Sequence, residues 1–140
     1  MKRCSILIAV ILLLLMCSSE ALAWNLPIEV LSVAEDKIVR RFALALKERI
    51  QRSSFFSTTT DSSQQRLRVF VNAFDATDSI GIYSIVISWD NPPTNPFPLL
   101  LNNYVGICMR NRVHETAESS VASIVQTVED VLKIIQRQRL

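Results

Sequence analysis

The chain has 140 residues, which is the length of one domain, and its formal net charge is only +2. One histidine, three cysteines and two glycines provide neither a multi-histidine or multi-cysteine metal site nor a glycine-rich phosphate loop. The composition therefore predicts no metal and no cofactor, and it points to no particular reaction.

The first residues have the pattern of an export signal. A basic pair precedes an unbroken apolar run from Ile6 to Met16, and an A-x-A sequence ending at Ala23 follows. Eleven apolar residues make a helix about 16 Å long, roughly half the hydrocarbon core, so a transmembrane anchor is disfavoured. We predict a signal peptide over 1–23, cleaved after Ala23, and a single domain over 24–140.

Lipidation is the alternative to cleavage after Ala23. Cys17 follows Leu14-Leu15-Met16, which has the outline of a bacterial lipoprotein signal, but such sites need a small residue before the cysteine. Since Met16 is not small, lipidation at Cys17 is disfavoured. Export predicts a periplasmic or secreted protein. It disfavours a nucleic-acid partner, because an exported domain is separated from the nucleic acid of the cell.

Two segments have the periodicity of amphipathic helices. The first is predicted from a capping box at Ser32 and Glu35 to about Arg52, and the second from an N-cap at Thr116 to about Arg137. Apolar residues recur at three- and four-residue steps in both: Ile38, Val39, Phe42, Ala43, Leu46 and Ile50 in the first, and Val121, Ile124, Val125, Val128, Val131, Leu132 and Ile135 in the second.

Three segments between these helices are predicted to be strands. Arg66–Phe74 alternates between apolar and mostly polar positions, and Ile82–Trp89 is rich in β-branched and aromatic residues. Leu99–Met109 follows a proline-rich break over 90–96. Gly106 inside the third strand predicts a bulge or a close approach of another group.

The predicted order is helix, strand, strand, strand, helix. Short connections favour an antiparallel meander, and the two apolar stripes have one sheet face available to cover. We therefore predict an α+β two-layer sandwich, with two amphipathic helices on one face of a three-stranded antiparallel meander. Residues 28–31 are a candidate for a further short strand.

The uncovered sheet face is the first candidate for a binding surface. Arg66, Arg68, Phe70 and Phe74 alternate away from the predicted core, and Tyr104 is expected beside them. Aromatic and arginine side chains are typical of protein interfaces. In the competing interpretation, the phenylalanines pack under the proline-rich loop or the N-terminal lead-in. In another, a sheet edge pairs with a partner or a second copy.

A basic face of the first helix is the second candidate. Lys37, Arg40 and Arg41 fall in one sector opposite the apolar stripe, as an acidic partner or peripheral contact with anionic lipid would require. The competing interpretation is an ordinary solvated helix face.

The third candidate is an anion site before the last helix. Arg110, Arg112 and His114 alternate along an extended segment, and helix N-termini attract anions. These residues would suit a small-ligand or anion binder or a small hydrolase. The competing interpretation is a solvated connector.

Cys108 is the one cysteine outside the leader. A nucleophilic cysteine needs a base, and His114, the only histidine, lies beyond the end of the strand. We expect a buried inert thiol, with a disulfide between two chains as the alternative.

These features favour a non-enzymatic binding or accessory module that docks another envelope or extracellular protein. The alternatives are the small-ligand binder or hydrolase and a self-associating structural protein.

Overall fold

A computed structural model describes residues 25–92 and 94–137. The predicted signal peptide, its cleavage site and Cys17 lie outside these ranges. The elements are β1 (Leu26–Ala34), α1 (Lys37–Arg52), β2 (Phe56–Thr58), β3 (Arg66–Thr77), β4 (Ile80–Asn91), β5 (Asn95–Met109) and α2 (Val113–Arg137).

The strands form one mixed sheet in the order β2-β1-β3-β4-β5. β1 runs parallel to both β2 and β3, whereas β4 runs antiparallel to β3 and β5. The three predicted strands correspond to β3, β4 and β5, which follow one another in antiparallel pairings. A sheet of these three strands alone is wrong, since the described sheet also contains β1 and β2 and two parallel pairings. The α+β class is confirmed.

The start of the chain differs most from the prediction. Ser32 was expected to cap a helix, but it lies in β1 opposite Val71 of β3. β1 continues to Ala34, and α1 begins only at Lys37. A serine followed three residues later by a glutamate fits a capping box. Here the backbone N–H and C=O groups of this segment are instead hydrogen-bonded by strand pairing with β3.

Both helices cover the same face of the sheet and form the second layer. Buried side chains of α1, α2 and the sheet join in one core: Ile38, Val39, Phe42, Leu46 and Ile50 of α1, Ala117 and Ile124 of α2, and Leu67, Val69, Val71, Ile85 and Ile87 of the sheet. Within this core, the rings of Phe42 and Tyr83 stack with centroids 4.4 Å apart. The apolar stripes predicted for the helices thus account for the two-layer packing.

Gly106 provides the close approach that its position in a strand predicts. A Cβ atom there would lie 2.4 Å from the Tyr83 hydroxyl and from Cζ of the same ring. The Tyr83 ring therefore packs directly on the β5 backbone, where only glycine leaves room.

The boundaries of the later elements also move. β4 extends to Asn91 and β5 begins at Asn95, so the proline-rich segment forms the ends of two strands. β5 tolerates prolines because it is an edge strand of the described sheet, where alternate N–H groups point away from β4 and form no ladder bond. α2 begins at Val113, and Thr116, inside its first turn, donates its hydroxyl proton to the Arg112 carbonyl.

Candidate functional site

The face of the sheet opposite the helices, called the open face below, carries two apolar rows. Residues paired across neighbouring strands share a face, so the strand register defines each row. One row consists of Leu31, Phe70 and Val86 and ends at Asn103; the other consists of Phe74, Ile82 and Ile107. Between them lies a mixed row of Val33, Asn72, Ser84 and Val105.

Many of these apolar side chains are exposed to solvent. Val105 is 73% exposed, Ile107 61%, Phe74 55% and Phe70 40%. Scattered exposed apolar residues are common on soluble proteins, but these lie on β3 and β5 and share one face with half-buried Ile82 and Val86 of the intervening β4. Such contiguity is typical of an interaction surface.

The phenylalanines predicted to face away from the core do so. Phe70 and Phe74 alternate with buried Val69, Val71 and Ala73 along β3. The proline-rich segment does not bury them, because both remain exposed. The structure therefore brings these two predicted residues together on the open face.

An ion-pair network borders the apolar rows at one end of the open face. Nε of Arg66 lies 3.0 Å from Oε2 of Glu29, and its Nη2 lies 2.9 Å from Oδ2 of Asp90. Nε of Arg68 is also 3.0 Å from Oε2 of Glu29, and its Nη1 is 3.7 Å from Oδ2 of Asp90. Two arginines and two carboxylates therefore compensate one another.

Arg66 is not available to a partner, although its position in β3 is as predicted. The residue is only 4% exposed, and its guanidinium also donates to the carbonyls of Asp61 and Gln64. The loop before β3 thus covers it. Arg68, whose side chain is 34% exposed, can still contact a partner at the rim of the apolar rows.

Tyr104 lies on the helix-covered face, so its predicted place beside the phenylalanines is wrong. It pairs with buried Ile85, its ring meets that of Tyr83 edge-on, and its hydroxyl donates to the Ser120 carbonyl. Burial raises the pKa of Tyr104 to about 12. Val105, its neighbour, takes the open-face position.

The predicted basic sector of α1 is exposed. Lys37, Arg40 and Arg41 all lie on the solvent side of the helix. The Arg40 guanidinium donates to the Glu35 carbonyl just before the helix. These residues remain a candidate surface, separate from the open face.

The predicted anion site is partly occupied by the chain itself. The Arg112 guanidinium forms an ion pair and hydrogen bonds with the Glu115 carboxylate. This contact raises the pKa of Arg112 and lowers the pKa of Glu115. Arg110 and His114 are exposed to solvent. The charge of Arg112 is already paired with Glu115.

Cys108 lies in the core as a free thiol, with no exposed surface. Burial raises the pKa of this thiol, which disfavours the reactive thiolate. The position matches the expected inert thiol. A disulfide to a second chain would require the core to open, so the structure gives no support to chains linked through Cys108.

Two further observations concern metal sites and membranes. Within residues 25–92 and 94–137, no three histidine, cysteine, aspartate or glutamate side chains cluster closely enough to hold a metal ion. Neither described helix combines the length and the apolar character needed to cross a bilayer.

Several residues of the open face were missed by the sequence interpretation. Val33, Val105, Ile107 and Met109 are all exposed there. The alternation of Val105, Ile107 and Met109 is visible in the sequence, but the alternate positions also hold largely apolar side chains, Tyr104 and Cys108. Without a polar side to the pattern, the sequence does not show which set faces the helices.

Comparisons with known proteins add no family. No protein-family model matches the chain, and no curated protein matches it. Among solved structures, a minor lipoprotein from Acinetobacter baumannii is similar with a TM-score of 0.43 and 8% identity. The match covers 76% of this chain and 95% of that chain. Similarity at this level carries no argument about what the chain binds.

Proposed function

We propose that the chain is an exported, non-enzymatic binding module that docks a protein partner on the open face of its sheet. The observation that carries this proposal is the pair of apolar rows, which include exposed Phe70, Phe74 and Ile107. A partner with a complementary apolar surface would remove these side chains from water. Burial of aromatic side chains at the centre of an interface provides a large share of binding free energy.

The ion-pair network gives the open face a polar boundary. Glu29, Arg66 and Asp90 are largely buried and mutually compensated, so they define an edge without attracting a charged partner. Arg68 is the more exposed arginine of this network. An apolar centre with a polar rim is the usual arrangement of protein interfaces.

The test is affinity capture of the tagged full chain from the cells that produce it, after mild crosslinking. Wild type is compared with Phe70→Lys/Phe74→Lys, which places two charges in the apolar rows. We expect capture of a recurrent partner to fall at least about 100-fold, because each buried aromatic contributes about 2 kcal/mol or more.

The matched control is Leu44→Lys/Gln51→Lys, which adds the same charge to exposed positions of α1. Circular dichroism and urea unfolding establish that both double variants are folded. A folded Phe70→Lys/Phe74→Lys variant that captures the same partner as wild type would refute the proposal. Loss of capture in the α1 control instead would move the docking surface to the helix layer.

A further inference from the structure

β5 leaves a long free edge on the described sheet. It has 15 residues, and β4 is its one neighbour among the described strands. Residues 91–109 contain no aspartate, glutamate, lysine, arginine or histidine. Natural proteins usually protect edge strands with charges, prolines, bulges or short length, because free N–H and C=O groups pair readily with another strand.

The protection of β5 is confined to its beginning. Pro96 and Pro98 remove two N–H groups near its start, and a register irregularity next to β4 ends before Asn102. Asn102 to Met109 then forms a regular edge about 26 Å long at about 3.3 Å per residue. The strand at the other end of the sheet, β2, has only three residues. β5 is therefore the less protected edge.

Two hydrogen bonds indicate which amides of β5 point outwards. The Arg110 N–H donates to the carbonyl of Ser79, on the β4 side. The Asn103 N–H donates instead to the side-chain oxygen of Asn102. Since successive N–H groups of a strand point in opposite directions, the amides of Val105 and Ile107 point away from β4 together with that of Asn103.

We propose that β5 pairs antiparallel with β5 of a second copy of this chain, forming one continuous ten-stranded sheet. An antiparallel pair of identical strands has two-fold symmetry, so each outward N–H of one copy donates to an outward C=O of the other, and the symmetry-related pair forms the return bond. The absence of charge over 91–109 lets two identical strands approach without like-charge repulsion.

The surroundings of the edge suit a second copy. On the open face, Val105 and Ile107 are among the most exposed apolar side chains, and pairing would bring them against open-face side chains of β5 in the partner copy. On the helix side, one open groove lies between Leu101 and Ile134 and another between Ile107 and Ser119, so α2 leaves room beside β5. Both sides of the edge strand are therefore accessible.

The first test is the mass and the dissociation constant of the tagged full chain, purified from its own cells, by light scattering and sedimentation. Val105→Pro removes one outward amide while leaving the bonds to β4 in place, and Val105→Lys/Ile107→Lys sets charges opposite one another across the two-fold axis. We expect wild type to be a dimer and both variants to dissociate at least 100-fold more readily.

Phe70→Lys/Phe74→Lys is the matched control, since it adds two charges to the same face but away from the edge. It should remain a dimer even where partner capture is lost, which separates this inference from the docking proposal. Urea unfolding verifies that each variant is folded; if Val105→Pro does not fold, the lysine variant decides.

A photocrosslinker at position 105, used in a mixture of isotopically labelled and unlabelled copies, identifies the neighbouring strand. Crosslinks between β5 peptides of different copies support the proposal. A wild-type monomer at all concentrations, a dimer unaffected in the folded edge variants, or crosslinks only to residues 1–24, residues 138–140 or another protein would overturn it.

Discussion

Asp75 of β3 forms hydrogen bonds to the first turn of α1, and replacing it tests how the helix layer is joined to the sheet. Its Oδ2 accepts a hydrogen bond from the Ile38 N–H at 2.9 Å, and its Oδ1 accepts one from the Val39 N–H at 3.1 Å. The N-cap residue Asp36 makes no side-chain cap bond to the helix, and the first turn contains no acidic residue. Asp75 therefore provides the negative group that helix N-termini favour.

The expected effect follows from these two bonds. A side-chain cap contributes about 0.5–2 kcal/mol to stability. A hydrogen bond to a charged group contributes more than one between neutral groups. Because the site is partly exposed, water can form hydrogen bonds to the Ile38 and Val39 amides when alanine removes the carboxylate. We expect Asp75→Ala to lower the free energy of unfolding by about 2 kcal/mol, and Asp75→Asn by about half of that.

Urea unfolding measures the effect as a fall in the midpoint of about 1 M with an unchanged m-value. Hydrogen exchange of the Ile38 and Val39 amides should accelerate in the same variant. Asp78→Ala, an exposed carboxylate three residues along the chain, is the control and should change stability by less than about 0.5 kcal/mol. An Asp75→Ala variant as stable as this control would refute the proposed role of Asp75.

Three other variants test the packing and the ion pairs. Gly106→Ala should cost about 1–3 kcal/mol, because the Tyr83 ring must move by about 1 Å to restore contact distance; in a Tyr83→Leu background the added cost should largely vanish, and an equal cost in both backgrounds would contradict this reason. Arg66→Ala should cost about 2–3 kcal/mol in urea unfolding, because two carboxylates lose their buried partner and keep only the more exposed Arg68; a loss below about 1 kcal/mol would show that Arg68 and water replace the Arg66 guanidinium. The raised pKa of Tyr104 stabilises the fold fully below pH about 10, the ordinary phenol value, and this stabilisation is lost as the pH rises towards 12. Tyr104→Phe should therefore lose stability at pH 8 yet show a smaller decline between pH 10 and 12; equal declines in the two proteins would refute the assignment.

The sequence predicted those elements whose pattern has a polar side and an apolar side. β3 alternates between buried valines and exposed Phe70, Asn72 and Phe74, so its faces could be assigned from residue order alone. Both helices were predicted for the same reason, since their apolar stripes repeat every three or four residues.

Prediction failed where the residue order fits two structures. Ser32 and Glu35 satisfy a helix capping pattern, yet the backbone at Ser32 pairs with Val71 of β3. Tyr104 was assigned to the open face because β5 is apolar on both sides, and only its pairing with Ile85 shows that the ring lies under the helices. Local patterns carry no information about which strand lies alongside.

The α+β class, the two amphipathic helices and the outward direction of Phe70 and Phe74 follow from residue order alone, because each depends on a period within one segment. The five-stranded mixed sheet, the Asp75 cap on α1 and the position of β5 at an edge of the described sheet emerge only in the packed fold. These depend on contacts between residues far apart in the chain, such as the 37-residue separation of Ile38 and Asp75. Such contacts form only when the layers pack, and they leave no periodic trace in the sequence.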